Sequence, residues 1–314
     1  MLPSKLFMHI PDGFLSIPVS IVLWVASIVF IGIALRKTSK QLGDKEIPLM
    51  GILAAAIFAG QMLNFSVTGG TSGHLLGAAL ATILLGPWSA ILVMTSVVSI
   101  QALIFQDGGL IVLGANLFNM AIVGVFVSYA VMVLIKKIIR NERIGLFFGS
   151  VVSAWLAILI ASLACALELA VSGTSPASIA VPAMGSIHAL IGVGEALITL
   201  GAVSFIYAAR KDLLHFSQAG QKSSKGILIG GGVITLLLAI LSPLASSHPD
   251  GLEWVAEGSG FIAKSEPAVY NVIPDYVLPG VSNEALATIL AGIIGAAVVF
   301  AVAFGAARSR KKAS

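Results

Sequence analysis

Apolar residues fill long stretches of this chain, and polar residues are confined to the short gaps between them. Nine apolar runs stand out, at roughly 17–35, 47–64, 73–86, 88–104, 110–135, 145–171, 180–208, 226–246 and 285–307. They are rich in Leu, Ile, Val and Ala and do not alternate polar with apolar as the strands of a membrane barrel would, so they predict helices. The fifth and sixth are long enough to cross a bilayer with tilt. The third is short: its 14 residues at ~1.5 Å each reach only ~21 Å against a hydrocarbon core of ~30 Å. It ends at Gly86-Pro87, which makes it readable as one arm of a broken helix.

Composition fixes the solvent. The 314 residues are 58% hydrophobic and only 10% charged, where soluble domains carry about 25% charged residues. A water-soluble fold could not cover itself with so few polar groups. The expectation is an all-α polytopic membrane protein, with lipid as its surroundings and nothing that suggests nucleic-acid binding. The lone Cys165 cannot form an internal disulfide and reads as a small core residue. Met1 to Phe7 holds no apolar run long enough for a cleavable signal.

Charge sets the expected orientation. Sixteen of the 18 Lys and Arg lie in four clusters: Arg36, Lys37, Lys40, Lys45; Lys136, Lys137, Arg140, Arg143; Arg210, Lys211, Lys222, Lys225; and Arg308, Arg310, Lys311, Lys312. Cytoplasmic loops carry the Lys/Arg excess. All four clusters share one side only if an even number of spans separates each pair, and the weak third run is needed for that parity. The amino terminus is then expected outside and the carboxyl terminus in the cytoplasm. The outer 247–284 segment holds Asp250, Glu253, Glu257, Glu266, Asp275 and Glu284 against Lys264 alone, a field that concentrates cations. The basic, Ser- and Gly-containing stretch Arg210–Lys225 reads as a linker between a seven-span body and a two-span tail.

Candidate chemistry is sparse and therefore pointed. His9 sits in Met8-His9-Ile10-Pro11-Asp12-Gly13-Phe14-Leu15-Ser16, and His74 in Gly69-Gly70-Thr71-Ser72-Gly73-His74-Leu75-Leu76-Gly77. Imidazole is the commonest metal-ligating side chain. Irregular, glycine-rich backbone at membrane depth survives only when buried in protein or lining a cavity. Two histidines on the outer face suit a nitrogen-rich site for Ni(II), Cu(II) or Co(II). Asp12, Asn64, Ser72, Gln101, Asp107, Asn116 and Asn119 are polar candidates for capping helices or supporting such a site. His188 and Glu195 share one helix face. They fit a structural pair or a path for metal equally well, as does Glu168.

Two other classes remain open. Gly70-Thr71-Ser72-Gly73 with His188 matches a serine–histidine dyad of an intramembrane protease. A His188/Glu195 proton relay would suit a secondary metal transporter. There is no G-x-x-x-x-G-K-[ST] and no H-E-x-x-H, which excludes a P-loop ATPase and a zincin-type protease.

The two histidine motifs, together with Phe105-Gln106-Asp107-Gly108-Gly109, Leu113-Gly114-Ala115-Asn116 and the His188 to Glu195 stretch, resemble the CbiM/NikM family. These proteins are the substrate-binding membrane components of cobalt and nickel energy-coupling-factor (ECF) transporters. Pro249-Asp250-Gly251-Leu252-Glu253 resembles the two-span PDGLE (CbiN/NikN-type) subunit. The resemblance implies an extension at 1–7, a metal-binding membrane domain at 8–210, a linker at 211–225 and a PDGLE domain at 226–314. It implies capture of Ni²⁺ or Co²⁺ as transported substrate, with no cofactor, in a prokaryotic cell membrane. A coupling subunit (CbiQ/NikQ-like) and ATPase subunits (CbiO/NikO-like) would supply the energy. The implied ligands are the terminal amine of Met8, the backbone amide and imidazole of His9, and His74. That chelate requires Met8 to be the first residue, so translation is expected to start there.

Overall fold

In hydrocarbon every backbone N–H and C=O must find its partner inside its own segment, and the long apolar runs therefore close into helices. A computed structural model of the chain describes residues 8–39, 43, 45–215 and 225–312. The expected extension at 1–7 and most of the expected linker lie outside these. In chain order the elements are α1 (Ile17–Ser39), α2 (Glu46–Gln61), a hairpin of β1 (Phe65–Val67) and β2 (Thr71–Gly73), α3 (Ala78–Phe105), α4 (Leu113–Ile138), α5 (Glu142–Val171), α6 (Ala177–Arg210), α7 (Lys225–Leu241), the short α8 (Gly251–Gly258) and α9 (Glu284–Lys312). Among the described residues seven helices, all but α2 and α8, are long and apolar enough to cross a membrane, and α2 has only 16 residues.

The expected third and fourth runs are the two arms of α3, which breaks between them at Gly86-Pro87 as the broken-helix reading expected. Straight, its 28 residues would extend ~42 Å. Yet His74, just before it, and Asp107, just after it, both touch His9. The His74 and His9 ring centroids are 5.5 Å apart, and His9 Nδ1 is 3.2 Å from the Asp107 carbonyl. The stretch must double back, and it does so at Gly86, whose φ of 73° and ψ of 173° break the helix. Glycine is required there twice over. The positive φ disfavours any L side chain, and a Cβ would lie 2.8 Å from the His215 ring. Pro87 then opens the second arm, where its missing N–H leaves no helical bond unmade. The first arm, 78–85, is only ~12 Å long. It survives at depth because residues 75–86 are buried throughout.

The described basic residues of the first three clusters gather at the end of the bundle opposite His9 and His74. α1 leaves the His9 segment and ends at Arg36 and Lys37, and α4 runs from Asn116 to Lys136 and Lys137. At that far end Arg210 pairs with Asp212 at 2.8 Å, Lys45 bonds Asp212 as well, and Lys211 pairs with Glu142 at 3.1 Å. Their common end is what an even number of runs between clusters requires, with the two arms of α3 counted as two runs.

The tail does not stand apart from the body. α7 and α9 flank α2, and 14 of the 16 residues of α2 are buried. Small residues allow the approach: Gly51 faces Phe300 and Phe304, Gly231 faces Ile52, and Gly295 faces Phe58 and Phe105. Such contacts hold helices together in lipid, where the hydrophobic effect gives little drive between them. The segment joining α7 to α9 then crosses back over the body at the end that carries the histidines.

Candidate metal centre

The segment 8–12 has no secondary structure of its own, so its position depends on side-chain and loop partners. Met8 N–H donates to Asp107 Oδ1 at 3.1 Å. Asn116 brackets Ile10, accepting from its N–H and donating to its carbonyl, each at 3.0 Å, and Gly109 N–H donates to the same carbonyl at 2.9 Å. The Asp12 carboxylate accepts from the amides of Leu110, Ile111 and Val112 at 3.0, 2.9 and 3.2 Å. These amides lead into α4, where a helix start has unsatisfied donors and favours negative charge. Asp12 and Asn116 therefore hold the segment in place, and Met8 and His9 are presented inward.

Three histidines meet one cavity. It measures about 80 Å³ and is lined by Met8, His9, His74, His188 and Asp250 among others. The His9 and His74 rings meet edge to face, at an interplanar angle of 87°. Each histidine donates its Nδ1–H to a fixed acceptor. For His9 it is the Asp107 carbonyl at 3.2 Å, for His74 the Asp250 Oδ2 at 2.9 Å, and for His188 the Met184 carbonyl at 2.9 Å. That choice of tautomer leaves all three Nε2 lone pairs available, as in metal sites where an outer acceptor orients the ligating imidazole. His9 Nε2 is buried and has no hydrogen-bond partner. Among the described residues no three His, Cys, Asp or Glu side chains form a ready metal cage.

The two loop histidines differ electrostatically. Burial holds His9 below the usual imidazole range, against the opposing pull of Asp107. His74 feels the same burial, but the charge and hydrogen bond of Asp250, with help from Asp107 and Glu195, outweigh it and raise its pKa. Protons and metal compete for the same Nε2 lone pair, so the two rings contribute unequally as pH falls. Asp107 is itself buried and accepts from the Tyr276 hydroxyl at 2.6 Å. Burial, then the adjacent Asp107 charge, drives the Tyr276 phenol far above its ordinary range.

Other expected site residues take structural roles. The Ser72 hydroxyl donates to the His248 carbonyl at 2.8 Å while His188 Nδ1 bonds Met184, so the serine–histidine dyad is not formed. Glu195 is fully buried, and its two oxygens accept from Leu76 N–H at 2.6 Å and Gly77 N–H at 3.0 Å. It holds the entry to α3 and does not pair with His188. Glu168 accepts from Asn119 at 2.8 Å. Gln101 is buried, and its carbonyl accepts from Asp107 N–H at 3.1 Å. Asn64 faces a separate cavity, and its carbonyl accepts from Ser246 N–H at 2.8 Å.

Sequence reasoning did not place Asp250 or Tyr276 at the metal centre. Asp250 was read as part of the PDGLE motif and of the acidic outer segment, and its Pro249-Asp250-Gly251 setting repeats Pro11-Asp12-Gly13. Nothing in the sequence pattern marked Tyr276.

Residues 9–213 match the family described as the cobalt uptake substrate-specific transmembrane region, CbiM, and residues 225–312 match the PDGLE domain. The chain is 38% identical over 308 residues to a putative fused nickel transport protein NikMN of Archaeoglobus fulgidus, covering 98% of this chain and 100% of that one. It is 29% identical to the fused nickel transport protein NikMN of Rhodobacter capsulatus, over 94% and 95% of the two chains. A solved truncated transition metal transporter superposes with a TM-score of 0.58 at 34% identity, covering 64% of this chain and 99% of that one.

Proposed function

The chain belongs to the CbiM family of substrate-specific membrane components and carries a PDGLE domain, and from that premise we propose that it captures Ni²⁺ or Co²⁺ for uptake, with Met8, His9 and His74 as ligands. It is a multi-pass transport component and not an enzyme. The observation that carries the ligand assignment is the meeting of His9 and His74, 65 residues apart in sequence, with ring centroids 5.5 Å apart beside a buried cavity. The positive-inside rule supports an orientation with this site outside and the basic end in the cytoplasm. Nickel is the first expectation. Nitrogen donors in tetragonal geometry favour it, and two relatives that match nearly the whole chain are named for nickel transport.

The Asp107 carboxylate beside Met8 N suits the charge of a free amine. Intact-mass measurement of protein purified from its native host is expected to give a chain that begins at Met8. Active protein that retains residues 1–7 would remove the amine from the ligand set.

The chain has no nucleotide-binding motif of its own, so the proposed transport draws on partner subunits: an ECF coupling subunit of CbiQ/NikQ type and ATPases of CbiO/NikO type. Radioactive nickel accumulation in cells is expected to require these partners and to fall to background when the ATPase is inactivated. Undiminished accumulation without the ATPase would favour a secondary transporter. The His188 and Glu195 side chains, each bonded to backbone rather than to one another, do not support that reading.

A further inference from the structure

The PDGLE tail reaches the metal centre with its own side chains, and we propose that Asp250 and Tyr276 are positioning residues that set the metal affinity of the site. This rests on the metal reading above. The backbone of the tail pairs with the body first. Ser72 N–H donates to the Pro249 carbonyl at 2.8 Å, and Asp250 forms a parallel bridge with Ser72 at the edge of the hairpin. That pairing fixes the register, so the Asp250 side chain lies beside His74, two residues beyond Ser72. Oδ2 takes the His74 Nδ1–H at 2.9 Å, leaving Nε2 for metal. The next residue must be small. A Cβ on Gly251 would sit 3.0 Å from His188 Cε1 and 2.6 Å from Ile191. The Pro-Asp-Gly turn thus seats the tail between two histidines of one cavity.

Tyr276 acts on the opposite wall. Its hydroxyl donates to Asp107 Oδ2 at 2.6 Å, while Oδ1 of the same carboxylate accepts from Met8 N–H at 3.1 Å and lies 3.4 Å from His9 Nδ1. One tail residue therefore orients His74, and another orients the carboxylate that holds Met8 and His9. Outer partners of this kind typically change metal affinity 10–100-fold when removed.

The test is Ni²⁺ titration of the purified full-length chain in detergent, with the d–d absorption of the loaded protein and the thermal transition of the metal-free protein recorded together. Asp250→Ala is expected to weaken Ni²⁺ binding by about 10–100-fold and to shift the absorption band. Asp250→Asn keeps an acceptor for Nδ1–H and loses the charge, so it is expected to fall between Asp250→Ala and wild type, and it carries the test if Asp250→Ala does not fold. Tyr276→Phe is expected to give a smaller loss in the same direction. Wild-type protein that binds Ni²⁺ with Asp250→Asn and Tyr276→Phe equally tight and spectrally unchanged overturns the inference and leaves the proposed function standing. Wild-type protein that binds neither Ni²⁺ nor Co²⁺ overturns both.

Discussion

Alanine in place of His74 is expected to abolish high-affinity Ni²⁺ binding and uptake, and His9→Ala is expected to do the same. The expected size follows from the donor count. Four-donor structural zinc sites have apparent binding free energies of ~10–16 kcal/mol, so one donor in four corresponds to on the order of 3 kcal/mol, or more than ~100-fold in Kd. His74→Ala leaves the buried Asp250 carboxylate without the imidazole it bonds, and His9→Ala removes a bond to the Asp107 carbonyl, so the metal-free thermal transition should fall as well. The His9 segment stays clamped through Ile10 and Asp12, and β2 stays paired through its backbone, so the fold should persist while the Kd changes by orders of magnitude. Equilibrium binding on purified protein, with uptake in cells, checks both halves. Nickel uptake that survives in both histidine variants and is lost in Ser72→Ala would overturn the ligand assignment and move the chemistry to the serine. The bonding of Ser72 to the tail argues for the opposite result.

How much of this was legible in the sequence follows from the range of the interactions involved. Helix positions are local, and a run such as 145–171 anticipates α5 closely because apolar composition alone decides it. The common end of the described basic residues in the first three clusters was also legible, since parity requires only the order of the runs. The hairpin of arms inside α3 was half legible. Gly86-Pro87 marked a break, but only the joint contacts of His74 and Asp107 with His9 show that the chain reverses there. The histidine motifs identified the site by chemistry. Asp250 and Tyr276 escaped because each lies more than 165 residues along the chain from the residue it bonds. No local pattern records such a pairing. Glu195 was visible as a buried charge, but a structural role and a path for metal stayed equally open, because its partners are backbone amides and those leave no trace in side-chain patterns.

Glu195→Ala is expected to be the most damaging single substitution for the fold. The side chain is fully enclosed, and it satisfies two consecutive buried amides, Leu76 N–H and Gly77 N–H, where the chain passes from β2 into α3. Each buried donor left unsatisfied costs about 1–3 kcal/mol, so the pair amounts to roughly 2–6 kcal/mol. At about 2–4 °C per kcal/mol for a domain of 150–250 residues, the melting temperature should fall by on the order of 10 °C. Glu195→Gln retains one acceptor oxygen and turns an amide group toward the other N–H, so it should lie between Ala and wild type. His74 is two residues upstream of Leu76, and loss of this anchor should weaken Ni²⁺ binding in the same order as stability. That coupling separates the structural role from a proton relay. A relay residue changed to Gln would stop transport while melting temperature and Ni²⁺ affinity stayed at wild-type values. Thermal unfolding and Ni²⁺ titration on the two variants distinguish these outcomes, and the hydrogen bonds from Leu76 N–H and Gly77 N–H to Glu195 favour the coupled one.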